Sequence, residues 1–569
     1  MAEPASMDGE SRHVTLTRGR DDGDADATPP LLRVRDDALV KRGRELMAIS
    51  QRGDNAQRQA ASAEVDDLVR LAHKGRDPHV VAELLRTAGI VRLVTPGRLE
   101  GVRTTLDELL DHAREHALIV AEADTYALRA NLVFRQDPES HVVLDEVANA
   151  LAIIEYELPG TSSLSAEEGA EQVARALSDT AIVLHHLDIH EMSSSLLARG
   201  QVQLELAGES HGMVVLLFNR VRSLLLWGLQ LERSGQPDNA ADRFAEAAAL
   251  AGAVEEHWGA HLFPDRVDRI AADQVVVFAV AFAMHHPGGE HLDRLSALRE
   301  HSVFPDDPIL LDIAQARCLD AAGRNAEAVG LLETQPHDHV PVDKAEPAVR
   351  LSLVREIARL ERRRVDGDRA WLRYAESLEA GLLSLQRARL SALRARIEHA
   401  ALRRRHHALA LQALQDPLTG LPNRRAWEQS LDGMAAASPG EPMAVAMIDL
   451  DGFKQTNDRY SHAVGDAVLK TIAATLRRLV RVDDLIARFG GDEFVALLPS
   501  TSLATATAVF ERAVSEVAAL DGNLSRGVTL SIGVTAVRPS EHPRAALARA
   551  DEAMYRAKQQ GGGQVFTTR

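Results

Sequence analysis

The chain has 569 residues, of which 45% are hydrophobic and 26% charged, and a formal net charge of −18. That length exceeds what one core supports, so about two to four domains are expected. The acid excess excludes nonspecific attraction to nucleic acid or to an anionic membrane surface as an organising function. The lone cysteine, Cys318, cannot close an internal disulfide and reads as a small buried apolar residue in a reducing, cytoplasmic setting.

Residues 1–30 are rich in Asp, Gly, Ser, Pro and Ala and are expected to be disordered. They lack a basic region followed by an apolar one, so no secretory signal is expected. From 31 to 360 apolar residues recur at helical spacing, which predicts an all-α region. Within it, 275–284 is about half the length of a spanning helix. The longer stretch 213–231 is interrupted by Asn219, Arg220 and Arg222, so no membrane insertion is expected.

One helix pair stands out in this region. Leu224, Trp227, Gly228 and Leu231 precede Gly235 at a turn, and Ala240, Phe244 and Ala247 follow it. The pattern is similar to the tetratricopeptide repeat, in which small residues let two antiparallel helices approach. A weaker copy has Ala316, Leu319, Gly323, Ala328 and Leu332. The resemblance implies an α-solenoid with a concave surface suited to a protein or peptide partner, a sensing or docking module. The alternative is a scaffold that only holds dimers together. His185, His186, His190 and Glu191 invite a metal reading, but histidines scattered through helices are more often surface or capping residues.

Residues 368–415 contain no proline and one glycine, Gly381, and predict a single long helix. A heptad frame puts Leu383, Leu390, Leu393, Ile397, Ala400, Leu411 and Leu414 on a seam, with polar breaks at Gln386, Arg404 and His407. The expectation is a coiled-coil signalling helix that pairs in a homodimer. The alternative is a helix packed on its own solenoid. The run Arg403-Arg404-Arg405 reads as a solvated face.

The carboxyl-terminal segment carries the chemistry. The apolar run 443–448 reads as a buried strand that delivers Asp449 to its carboxyl end, where open α/β sheets place ligands. Residues 488–499 read as two strands joined through Gly490-Gly491, glycines expected to supply the positive φ of a tight turn. Asp492 and Glu493 stand at its tip. Bare backbone beside two carboxylates suits phosphate and a divalent metal, and Asp449 facing Asp492 would form a two-carboxylate clamp. A hairpin with solvated acids is the plainer alternative for this stretch alone. An α/β domain is expected, with a mostly antiparallel sheet of 443–448, the hairpin arms and 528–537 under helices 463–480, 503–520 and 543–560.

Five motifs in order, at 416–425, 449–458, 465–466, 490–494 and 550–558, resemble the GGDEF family of diguanylate cyclases, which condense two GTP into cyclic di-GMP. The resemblance covers 416–569. It implies that Asp449, Asp492 and the Leu450 carbonyl hold Mg²⁺ or Mn²⁺, with Glu493 sharing this work. Asp492 and Glu493 match the catalytic acids, Asn457 and Asp466 the guanine-reading pair, and Lys454 and Lys558 the phosphate-binding lysines. Phe453 and Gly491 are expected to contribute backbone contacts, and Asn423 with Arg424 to tie the entering helix to the domain. Arg481 and Asp484 match the family's product-inhibition motif, with Arg512 in support. The chain departs from the family at Gly562, where an arginine is expected. The implied function is a metal-dependent, homodimeric, product-inhibited cyclase controlled by the helical domain. A receptor that binds GTP or cyclic di-GMP without turnover stays open as the alternative.

Overall fold

A computed structural model describes residues 36–52, 55–73, 76–157, 166–207, 210–258, 274–301, 305–334, 347–361, 369–437, 441–481, 483–538 and 541–568. The expectation for residues 1–30 lies outside the described residues. The chain divides into two units, Met1–Ala401 and Leu402–Arg569.

Every regular element described in the first unit is helical: α1 (Asp36–Arg52), α2 (Asn55–Ala72), α3 (Pro78–Val94), α4 (Leu99–Glu115), α5 (Ile119–Gln136), α6 (Val142–Tyr156), α7 (Ala166–His186), α8 (His190–Ala207), α9 (Ser210–Arg233), α10 (Pro237–Trp258), α11 (Val276–His285), α12 (Leu292–Ala297), α13 (Asp307–Ala321), α14 (Asn325–Thr334) and α15 (Pro347–Glu361). Most of these helices pack on the next in sequence, and the odd-numbered ones from α1 to α15 also pack on one another in series. Apolar faces at helical spacing are thereby covered on two sides. In the α9–α10 pair, a side chain at Gly228 would come within 2.3 Å of the Phe244 ring, so the glycine lets Phe244 fill the gap. Gly212–Arg233 is the one described helix whose length and composition would allow it to cross a membrane. Its Val214, Leu217, Val221, Leu224, Leu225 and Leu229 lie in the unit's own core, packed as in a core helix.

The long helix is present as α16 (Arg369–Gln412). Its expected pairing seam is used differently. Leu393 and Ile397 belong to the core of the helical unit, with Leu390 packed against it, and Ala400 is buried. Gln386 bonds to Gln230 at 3.1 Å, and Arg396 to Asp145 at 2.8 Å. Over this stretch the apolar residues are buried within one chain, as the alternative of a helix packed on its own helical unit expects. Leu378, Leu382, Leu385, Leu402 and Leu409 are exposed instead.

The second unit continues through α17 (Arg424–Ala437), β1 (Ala444–Asp451), α18 (Phe453–Arg459), α19 (His462–Leu479), β2 (Leu485–Gly490), β3 (Glu493–Leu498), α20 (Leu503–Ala518), α21 (Gly522–Ser525), β4 (Thr529–Ala536), α22 (Pro543–Gln559) and β5 (Val565–Thr568). The sheet order is β2-β3-β1-β4-β5, antiparallel except for the parallel β4–β5 pair. The sheet is therefore mixed, and its short parallel edge was not foreseen. Helices cover both faces. Ala444, Ala446, Ile448 and Leu450 of β1 pack with Leu469, Ile472 and Phe510 of α19 and α20. Val445 and Met447 pack with Trp427 of α17 and with Leu547, Ala550 and Met554 of α22. Two covered faces explain why β1 reads as a continuous apolar run. The strand's period of two then places Asp449 and Asp451 on the face that carries α22.

Candidate active site

Two carboxylates, Asp449 and Glu493, stand side by side at the end of β1, next to the turn that carries Asp492. Asp449 is the register partner of Glu493 on β3, so the two side chains leave the same face of adjacent strands. The Leu450 amide donates to the Asp492 carbonyl at 3.3 Å, which brings the hairpin turn beside the strand end. Asp449 is buried, and its Oδ1 lies 2.6 Å from Nζ of Lys558 on α22. Burial pushes the Asp449 carboxyl above its ordinary value, and the Asp492 and Glu493 charges push the same way, against the Lys558 ammonium.

The turn itself differs from the expectation. Gly490 pairs with Glu493, so the two turn residues are Gly491 and Asp492. Of the two glycines only Gly491 has a positive φ, +51°. A glycine in the first central position is one of the two tight hairpin solutions. Arg488 clamps this turn. Its Nε and Nη2 donate to the Gly491 carbonyl at 3.0 and 2.7 Å, and its Nη1 donates to both Asp416 oxygens at 3.0 and 3.1 Å. Asp416 also accepts from the Thr419 amide and hydroxyl at 2.8 and 2.7 Å. Burial alone would raise this carboxyl, but the bonds from Thr419 and Arg488 bring it below its ordinary value.

Asn457 stands on α18 with its Oδ1 buried and without a partner, close against Gly465 of α19. A Cβ at Gly465 would fall 1.9 Å from that oxygen, so glycine there makes room for the amide. The contact places Asn457 beside the residue that precedes Asp466. Asp466 and Lys454 are exposed. The Phe453 side chain is buried in the domain core, leaving only its backbone for a ligand. Asn423 donates to the carbonyls of Ala413 and Gln415 at 2.8 and 3.1 Å, which fits a tying role.

Arg481 and Asp484 share one tight turn rather than a side-chain ion pair. The Arg481 amide donates to Asp484 Oδ2 at 2.8 Å, Asp484 is buried and Arg481 is exposed. Arg512 reaches the Leu479 carbonyl at 3.3 Å, just before that turn.

Among the described residues no cluster of three or more His, Cys, Asp or Glu is arranged to enclose a metal ion. The Asp449 carboxylate, with the turn that carries Asp492 beside the strand end, offers hard oxygens at the end of β1. Mg²⁺ sites completed by substrate phosphates draw few ligands from the protein. Hard oxygens of this kind are the donor type that Mg²⁺ or Mn²⁺ takes.

Sequence reasoning overlooked Asp451, Thr529, Ser531 and the Asp416–Arg488 pair. Asp451 accepts from Ser531 Oγ at 2.7 Å, from Thr529 Oγ1 at 2.9 Å and from the Gly563 amide at 2.9 Å. The signal was available: acids at 449 and 451 and hydroxyls at 529 and 531 each repeat at strand spacing.

Sheet, acidic hairpin and lysine-bearing helix belong to one α/β domain. Residues 413–564 match the family described as diguanylate cyclase, GGDEF domain. The carboxyl-terminal unit thus carries a GGDEF domain. The chain is 44% identical over 155 residues to Diguanylate cyclase DgcP of Pseudomonas aeruginosa, covering 26% of this chain and 23% of that one. It is 41% identical over 167 residues to Response regulator PleD of Caulobacter vibrioides, covering 28% and 37%. The chain therefore spans well under half the length of these curated relatives. Among solved structures it is similar to the coiled coil and GGDEF domain of DgcB from Caulobacter crescentus in complex with c-di-GMP. That likeness has 29% identity and a TM-score of 0.30, and covers 32% of this chain and 98% of that one.

Proposed function

We propose that the chain is a diguanylate cyclase that condenses two GTP into cyclic di-GMP with release of two pyrophosphates. The observation that carries this reading is the convergence of Asp449, Glu493 and Lys558 on one sheet face beside the Asp492 turn, within a segment that matches the GGDEF family. Bound Mg²⁺ or Mn²⁺ would neutralise triphosphate charge and acidify the attacking hydroxyl. Asp449, Asp492 and the Leu450 carbonyl would hold it, with Glu493 adjacent.

The chain's own groups account for the rest. Asn457 and Asp466 read the guanine edge, the carboxylate accepting from N1–H and the exocyclic amine. Lys454 and Lys558 supply positive charge to the triphosphate. Asp492 accepts the 3′-hydroxyl proton as that oxygen forms its bond to the α-phosphorus of the other GTP and the bond to pyrophosphate breaks. Each nucleotide must act once as nucleophile and once as acceptor, so two loaded domains are needed and the active form is a homodimer. Arg481 and Asp484, with Arg512 nearby, form the site through which product inhibits. The helical unit is a tetratricopeptide-like array that senses a protein or peptide, a reading supported by the serial packing of its odd-numbered helices and the Gly228–Phe244 fit. The protein is expected to act in the cytoplasm.

The test is turnover: full-length protein with GTP and Mg²⁺, products separated by chromatography, Asp492→Ala alongside. Cyclic di-GMP from the wild type and at least a hundredfold less from the variant is the expected result, the scale on which loss of an acid–base group acts. A second reading, a receptor without turnover, is favoured by Gly562 alone. It would be supported by GTP or cyclic di-GMP binding with no product under any condition.

A further inference from the structure

Asp451 has no role in the chemistry above, although it lies two residues from Asp449 on the same face of β1. Both its oxygens are taken by protein donors: Ser531 on one, Thr529 and Gly563 on the other. A carboxylate bonded by three donors is a strong tether and a poor free ligand.

The third donor links Asp451 to α22. Gly561, Gly562 and Gly563 follow that helix with φ of +104°, +73° and +64°, a backbone path that side chains resist. A Cβ on Gly562 would lie 2.8 Å from Asp451 Oδ2, so the carboxylate rests on bare backbone. The same run closes the helix: the Gly562 amide donates to the Ala557 carbonyl at 3.1 Å and the Gly561 amide to the Lys558 carbonyl at 3.2 Å. A continuous set of bonds therefore runs from Asp451 to the last turn of α22, which carries Lys558.

We propose that Asp451 is a positioning residue for Lys558. Its carboxylate ties β4 and the glycine run to the end of β1, and this sets where the Lys558 ammonium stands against Asp449 and the triphosphate. The inference rests on the GTP reading of this site.

The test is a double-mutant cycle on the full chain, read by calorimetric binding of α,β-methylene-GTP with Mg²⁺, an analogue that cannot release pyrophosphate. Asp451→Asn and Lys558→Ala are each expected to weaken binding about tenfold, and the double variant no more than Lys558→Ala alone. Thr529→Val removes one of the three bonds and should give a smaller loss that also vanishes in the Lys558→Ala background. It carries the test if Asp451→Asn does not fold. Losses that multiply in the double variants would overturn the positioning role while leaving the GTP reading intact. A wild type that does not bind the analogue would overturn both.

Discussion

The helical unit contains a buried charge cluster whose titration can be worked out from its geometry. Arg86 on α3 bonds to Asp124 on α5 and to Asp179 on α7, and Arg175 on α7 pairs with Glu83 on α3 at 2.6 and 3.0 Å. Arg44 on α1 adds a bond to Glu171 on α7 at 3.1 Å. Three arginines thus face four acids, Glu83, Asp124, Glu171 and Asp179. Burial and the neighbouring acid favour a proton on the excess acid. Asp124 Oδ1 is buried with no other partner, and Asp179 is pushed up to about 7 by burial first and by the Asp124 charge second. For a carboxyl raised from 3.8, the folded state holds a proton that the unfolded chain releases. The stabilisation is complete below about pH 4 and is lost as pH rises to about 7. At about 1.4 kcal/mol per tenfold change in proton affinity, the ceiling is about 4 kcal/mol. Solvent reaches the Asp179 side chain, which is 22% exposed, so about 2 kcal/mol is expected. Asp179→Asn supplies a permanent donor to Asp124 Oδ1 and balances the cluster at three against three. In urea unfolding followed by far-ultraviolet circular dichroism, the variant should match the wild type at pH 4 and exceed it by about 2 kcal/mol at pH 8. Parallel wild-type and variant profiles between pH 4 and pH 8 would refute the shared proton.

Two further outcomes follow from close packing. Gly562→Arg installs the residue that the family pattern expects, but at a φ of +73° and against the Asp451 carboxylate. It should weaken binding of the GTP analogue, with a strain of about 1–3 kcal/mol, and tighter binding in the same titration would contradict the packing described. Gly228→Ala drives a methyl group into the Phe244 ring and should destabilise the helical unit by about 1–3 kcal/mol. Phe244→Leu in the same chain should recover part of that loss in the unfolding midpoint, and no recovery would mean that the ring is not the obstacle.

What the sequence disclosed and what it hid divide along physical lines. The all-α character of the first unit, the length of α16, the apolar run of β1 and the acidic hairpin were legible because each is a local pattern of period, length or turn chemistry. The placing of Asp449 at a strand end and of Asp492 at the hairpin was expected from local pattern, whereas Lys558 was picked out only through the spacing of separated motifs. Asp451 was hidden because its bonds join positions 80 and 112 residues apart in the chain. The same holds for Arg488, whose Asp416 partner lies 72 residues away. β5 was too short to show a period, and it exists because the glycine run returns the chain alongside β4.

The seam of α16 shows the limit of periodicity most clearly, since a heptad stripe specifies that a face will be buried without specifying against what. Leu393 and Ile397 meet that demand within their own unit. Burying such side chains is worth about 1.5–3 kcal/mol each. A parallel pairing through 383–400 would therefore have to strip this face from the helical core and replace the same burial across a two-fold axis. Pairing through the exposed Leu402 and Leu409 carries no such exchange. For the proposed homodimer, then, the two stretches of one helix differ in cost: the later one can pair without disturbing the helical unit, whereas recruiting the earlier one requires the unit to release it. A partner that loosened the α16 face from that core would lower the cost of the longer pairing, and this couples helical unit and dimer through apolar burial alone.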